Sequence, residues 1–217
     1  MNKQIIQTYS YKTRKTMRSL MFLGVLFTVA VAMNSCGDDV VEPQDLLSEE
    51  VVADLQFLKE EEKLARDVYL YAYAKYGRSI FDNISNSEQS HMDAVSTLLE
   101  QYNIEDLSLA EEGRFSNQTL QTIYDDLTAQ VDVSEIEALV VGATIEDLDI
   151  FDIEEMMTRT AESDISNVYE KLTCGSRNHL RGFTGQLSDE GETYAPQYIS
   201  QDDYETILNG SHEHCGN

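Results

Sequence analysis

No proline interrupts the chain between Pro43 and Pro196. An interior proline removes a backbone donor and clashes with the preceding turn, so this stretch is open to long continuous helices. The same stretch has no sustained period-two alternation and no Asn-Gly or Asp-Gly hairpin turn, which argues against strands. Its apolar residues recur instead at i, i+3, i+4 and i+7 in four long segments. The first covers about 48–76, with Leu55, Leu58, Ala65, Val68, Tyr69 and Ala72 on one stripe and Gly77 as its stop. The second begins near Ser85, which forms a capping-box pattern with Glu88, carries Val95, Leu98, Leu99 and Tyr102 inward, and ends near Asn103. The third covers about 134–158, with Ile136, Leu139, Ala143, Ile150, Ile153 and Met157 on one face. The fourth covers about 163–186, with Val168, Leu172, His179, Leu180 and Phe183 inward.

Connection lengths set the topology. The first and second segments are joined by a short link, as are the third and fourth, so each pair is expected to be an antiparallel hairpin. About 30 residues separate the second segment from the third, enough to run back along a bundle, with one short helix expected at about 117–130. A last short helix, opened by Ser200, is expected at about 201–208. The expected fold is therefore all-α: a four-helix bundle over residues 48–209, two hairpins joined by one crossover. A C-terminal tail, 210–217, follows, and its His212, His214 and Cys215 suggest adventitious metal binding on a mobile end.

Charge narrows the function classes. With 15 Lys+Arg against 40 Asp+Glu, the formal charge of −25 repels phosphates and anionic lipid surfaces, so nucleic acid is excluded as an expected partner. The first 35 residues are unlike the rest: Lys3, Lys12, Arg14, Lys15 and Arg18 face no acidic residue, and an apolar run over 20–33 follows. That run, about 14 residues, is short of the roughly 20 that span a bilayer. Residues 1–35 read as an export signal. Cys36 after Ser35 resembles the lipobox of bacterial lipoproteins, which implies lipidation of Cys36 and an acidic tether over 36–47. Met33 and Asn34 depart from the tighter form, and an ordinary cleaved signal is the alternative. The expected location is the cell envelope, with the membrane touched only through the lipid. Cys174 and Cys215 are free to pair in an oxidising compartment.

Amphipathic helices keep charge off the buried stripe, and here all four break that rule with residues of metal-ligand type. At about 100° per residue, Glu62 falls among Leu58, Ala65 and Tyr69. Glu88 and His91 share a face with Val95, Leu98 and Leu99. Glu146 is central to the third stripe with Asp149 at its flank, and His179 lies with Leu172 and Phe183. Buried carboxylates cost several kcal/mol each unless paired or metal-bound. Carboxylate with imidazole suits iron or manganese better than calcium. Glu62 sits in the charge run Glu60-Glu61-Glu62-Lys63, a pattern more usual on a surface, and Glu61 is its alternate. No glycine-rich phosphate loop or nucleophile elbow is present.

Residues 57–69, from Phe57 through Glu60-Glu61-Glu62-Lys63 to Tyr69, resemble the first helix of the family known as domain of unknown function 2202. Ser87-Glu88-Gln89-Ser90-His91, residues 141–150, Gly175-Ser176-Arg177-Asn178-His179-Leu180-Arg181-Gly182-Phe183 and Tyr194-Ala195-Pro196-Gln197-Tyr198 extend the resemblance over about 50–209. That family resembles the ferritin-like superfamily, which implies a ferritin-like four-helix bundle and a di-iron or di-manganese carboxylate site. The ferritin-like pattern asks for Glu, Glu-x-x-His, Glu and Glu-x-x-His on successive helices. Glu62, Glu88, His91, Glu146 and His179 fill five places. Ser176 stands where the last Glu belongs, and Asp149 is the substitute carboxylate, so one or two metal ions are expected. An oxidase-like, peroxidase-like or iron-handling role follows from the resemblance. The other reading is a metal-free, surface-tethered helical module. A homodimer is left open.

Overall fold

The computed structural model describes residues 47–216. The expected export signal, Cys36 and most of the tether lie outside the described residues.

Six helices and no strand occur among the described residues: α1 Glu49–Tyr76, α2 Ser79–Gln101, α3 Gln118–Val131, α4 Glu135–Met157, α5 Ser163–Asp189 and α6 Gln201–Asn209. Their ends follow local chemistry. The side chains of Ser48, Asn117, Ser134 and Ser200 cap α1, α3, α4 and α6 by accepting backbone N–H groups. Gly77, at φ 67°, takes the left-handed conformation that ends α1, and its N–H reaches the Tyr73 carbonyl.

One start differs from expectation. α2 opens at Ser79, so the Ser85–Glu88 pair lies inside the helix and not at its cap. Ser85 Oγ donates instead to the Asp82 carbonyl at 2.8 Å. The physical reason is Phe81 and Ile84, both buried, which extend the apolar stripe back to Gly77 and leave only Gly77 and Arg78 as the turn. At stripe ends the inward residue is also shifted: Met156 is buried where Met157 was expected, and Tyr169 where Val168 was expected.

α1 and α2 form one antiparallel hairpin, and α4 and α5 the other. Across the two hairpins, Tyr69 reaches Gly142 and Glu146 while Asp54 holds Arg159, so α1 and α4 are antiparallel. Arg78 bonds Gln186 and Tyr102 bonds Asp164, so α2 and α5 are antiparallel too. α2 and α4 then run the same way, which the crossover through α3 makes possible. No helix among the described residues is long and apolar enough to cross a membrane.

The charge run of α1 is buried throughout: Glu60, Glu61, Glu62 and Lys63 are each at most 4% exposed. Glu60 accepts from the Ser116 and Asn117 backbone at 2.7 and 3.2 Å, fixing the entry to α3. Lys63 donates to the carbonyls of Glu111 and Arg114 and to Asp67, which also binds Arg66 and the Gly113 N–H. Thus two of the four charges fasten the crossover to α1. On α4, buried Asp147 does the same for the segment after α5, accepting from Tyr194 Oη, Gln197 N, Tyr198 N and Ile199 N at 2.5–3.2 Å.

The tail is held where mobility was expected. Cys174 and Cys215 form a disulfide. Glu213 pairs with Arg177 and Arg181, and its backbone exchanges hydrogen bonds with Asn178. Arg177, Arg181 and Asn178 serve the tail rather than the bundle interior.

Candidate metal centre

Glu62 from α1, Glu88 and His91 from α2, Glu146 from α4 and His179 from α5 meet at mid-length of the bundle. Antiparallel packing makes this possible, because each residue lies about half-way along its helix. They form two overlapping groups, Glu62–Glu88–His91 and Glu88–Glu146–His179, within each of which the donor atoms lie inside 4.8 Å of one another. His91 Nδ1 is 2.7 Å from Glu88 Oε2 and 3.1 Å from Glu62 Oε2. His179 Nδ1 is 2.9 Å from Glu88 Oε1 and 3.3 Å from Glu146 Oε2. The two rings stack with centroids 5.6 Å apart. Each imidazole thus turns the same nitrogen toward one oxygen of Glu88.

The carboxylates are fully buried, while the two histidine side chains keep 11% of their surface. Polar satisfaction inside is poor. Glu62 Oε1 has no hydrogen-bond partner, and both oxygens of Glu88, Glu146 Oε2 and His179 Nδ1 meet only one another or His91, as ion pairs at 2.7–3.3 Å. Native interiors rarely leave a buried carboxylate oxygen without a donor, and here Glu62 Oε1 has none while Glu88 relies on carboxylate–imidazole pairs alone.

Electrostatics agree. Burial pushes Glu62 up to about 7, with Glu88 adding and His91 opposing. Burial also raises Glu146, against the pull of His179. Glu88 goes the other way: burial opposes its charge, but His91 and His179 hold it well below the ordinary value. His179 is raised to about 10, since Glu88 and Glu146 outweigh the burial that alone would lower it. His91 is raised for the same reason by Glu88 and Glu62. The carboxylates thus favour positive charge at both ring positions.

Four residues shape the centre without belonging to it. Tyr69, completely buried, donates its phenol to Glu146 Oε1 at 2.5 Å. Burial, then Glu146 and Glu88, raise that phenol far enough to keep it neutral and donating. The Tyr69 ring rests on Phe183, 5.2 Å away, and Phe183 fits only because Gly142 has no side chain: a Cβ there would lie 2.4 Å from the ring. Gly175 does likewise for His91, whose Nε2 would sit 2.7 Å from an added Cβ. The sequence carried a signal for both glycines. A glycine in a helix interior costs about 1 kcal/mol relative to alanine, and close approach of a neighbour is the usual reason for one.

Asp149 and Ser176 settle differently from the expected exchange. Ser176 is buried with its hydroxyl turned back to the Leu172 carbonyl at 3.1 Å, so it offers nothing to the centre. Asp149, 1% exposed, lies outside both triads. Burial raises it well above the ordinary value, and the charges acting on it are, in order, Glu62, Glu61, Glu146 and Glu88. It flanks the Glu62 side. Glu61 is buried beside it on α1, raised by burial and by Asp152.

The fold and this cluster define an all-α bundle with an interior carboxylate–histidine centre. The profile of the family described as an uncharacterised protein domain, DUF2202, matches residues 52–211, and the chain belongs to that family. It is 51% identical over 172 residues to the uncharacterised protein MJ0754 of Methanocaldococcus jannaschii, an alignment covering 79% of this chain and 93% of the relative. The crystal structure of the hypothetical protein MJ0754 superposes with a TM-score of 0.77 at 50% identity, over 79% of this chain and 98% of the other.

Proposed function

We propose that the bundle binds a pair of iron or manganese ions, with Glu62 and His91 on one, Glu146 and His179 on the other, and Glu88 shared. One observation carries this reading: two three-residue groups of ligand type, overlapping at Glu88, converge from all four long helices on one largely buried point. The donor set fits. Three carboxylates with two imidazoles suit first-row transition metals, and histidine is uncommon at calcium. A bound pair of such ions would supply oxygen or peroxide activation, or ferrous-ion oxidation.

The chain's own residues prepare that chemistry. Tyr69 fixes the rotamer of Glu146 and leaves its other oxygen free. Leu58, Ala65, Val95 and Ile150, all completely or almost completely buried, keep the surroundings dry. The histidine edge, between α2 and α5, is the side nearest solvent. The reading extends to an exported protein tethered through a lipid on Cys36, which the basic head and apolar run of the sequence support.

Elemental analysis of protein prepared without a His-tag and reconstituted with ferrous or manganous ion tests the reading. One to two ions per chain are expected, falling in Glu88→Ala and His91→Ala. Unchanged metal content in both variants would overturn it. The tightly compensated Glu88, between two imidazoliums, favours the second reading of a metal-free module, and absence of metal after reconstitution would select it.

A further inference from the structure

Beside the centre, on the side away from the histidines, lies a group of acids that the proposed metal pair does not use. Opposing residues fix where they meet. Tyr69 faces Gly142 and Glu146, and Asp54 faces Arg159. That antiparallel register sets Glu61 and Glu62 of α1 against Asp149 and Asp152 of α4. Glu61 shares a side-chain hydrogen bond with Asp152, and Asp152 is only partly covered. The acids therefore run from a partly exposed Asp152 through Glu61 and Asp149 to Glu62.

Burial makes this row unusual. Glu61 is 4% exposed and Asp149 1%, and Glu61 Oε2 and Asp149 Oδ2 have no hydrogen-bond partner. Buried acids elsewhere in the bundle are fully engaged: Asp67 holds Lys63, Arg66 and Gly113, and Asp147 holds four donors. The four charged groups acting most strongly on Asp149 are all carboxylates. Two inward oxygens without donors, among acids only, ask for positive charge from outside. Asp152 is the partly exposed end of the row, so the acidic edge offers an incoming cation a way in.

We propose that Glu61, Asp149 and Asp152 form a third, weaker divalent-cation position, filled by metal on its way to the Glu62–Glu88–Glu146 centre. The destination rests on the di-metal reading above, whereas the binding stands on these three acids. Oxygen-only donors at this position make it less selective than the histidine-containing pair.

The test uses the full chain and manganous ion, with bound metal read from loss of the free-ion electron paramagnetic resonance signal during titration. Filling rates are read by stopped-flow absorbance with cobaltous ion. Wild type should bind a tight pair and then one further equivalent at least about tenfold more weakly. Glu61→Gln with Asp149→Asn should remove the weak equivalent, keep the tight pair, and slow its filling about tenfold. Asp152→Asn should slow filling less. Circular dichroism melts confirm that these near-isosteric variants fold. A third equivalent and a filling rate both unchanged in the double variant would overturn the proposal, as would a wild type that stops at the pair. A wild type that binds only the weak equivalent, lost in the Glu61→Gln, Asp149→Asn double variant, would instead refute the di-metal reading and leave this position standing.

Discussion

Asp147 and Asp149 stand two residues apart on α4, and each is at most 1% exposed. Asp147 accepts four hydrogen bonds and gathers the segment 194–199 onto the bundle. Asp149 keeps an oxygen without any donor and looks toward four other carboxylates. A shift of about 200° around the helix separates them. One acid is part of what holds the fold together; the other is tolerated by it. Burial alone therefore says nothing about function in this protein. What distinguishes the centre is whether the protein itself supplies the donors.

That contrast is easiest to break by removing each acid. Asp147→Ala strands the Tyr194 hydroxyl and three backbone N–H groups, so urea unfolding should show a loss of about 3–5 kcal/mol. Asp149→Asn replaces a buried acid whose inward oxygen has no donor, and the metal-free protein should be unchanged or about 1 kcal/mol more stable. Equal losses in the two variants would erase the distinction. Gly175→Ala sharpens it from the side of the centre: the new methyl displaces His91, and metal affinity should fall about 10–100-fold with a much smaller change in stability. Isothermal titration with manganous ion, beside a thermal melt, separates the two effects.

The smallest effect belongs to a satisfied acid near the surface. Glu213 is held down to about 2, first by its hydrogen bonds to Arg177 and then to Arg181, against an ordinary 4.5. A depressed carboxylate contributes fully above its unfolded value and loses that contribution as pH falls toward the folded one. Amide exchange in 211–216 should therefore speed up, relative to the intrinsic rate, between pH 4.5 and about 2 and stay flat above. Because Glu213 is only partly buried, the contribution is modest, and the Cys174–Cys215 link keeps the tail nearby throughout.

Much of this was readable before any coordinates. Period 3.6 and the absence of proline specify the four long helices, and the one long link fixes how the hairpins join. Glu62, Glu88, His91, Glu146 and His179 stand out because each is charged or ionisable on an apolar stripe. What periodicity could not reveal is α4, buried nearly all round from Ala138 to Ile153 once α1, α3, α5 and the 194–199 segment cover it. On such a helix no face is the outer one, so periodicity leaves Asp147 unmarked. The charge run of α1 misled for the same reason: its outer side meets the crossover, which sequence spacing shows only as a long loop. Ser176 could be read as a missing carboxylate, but where its substitute would point depends on which neighbour faces α4.

Four consecutive charges at about 100° intervals sweep most of the way round α1. Each therefore addresses a different neighbour: Glu60 the start of α3, Glu61 the acids of α4, Glu62 the histidine centre, Lys63 the crossover carbonyls. The run works as an indexing pin. Deleting a single residue just before it would rotate every assignment by one station, and no sliding of the helix along its axis could restore more than one of them.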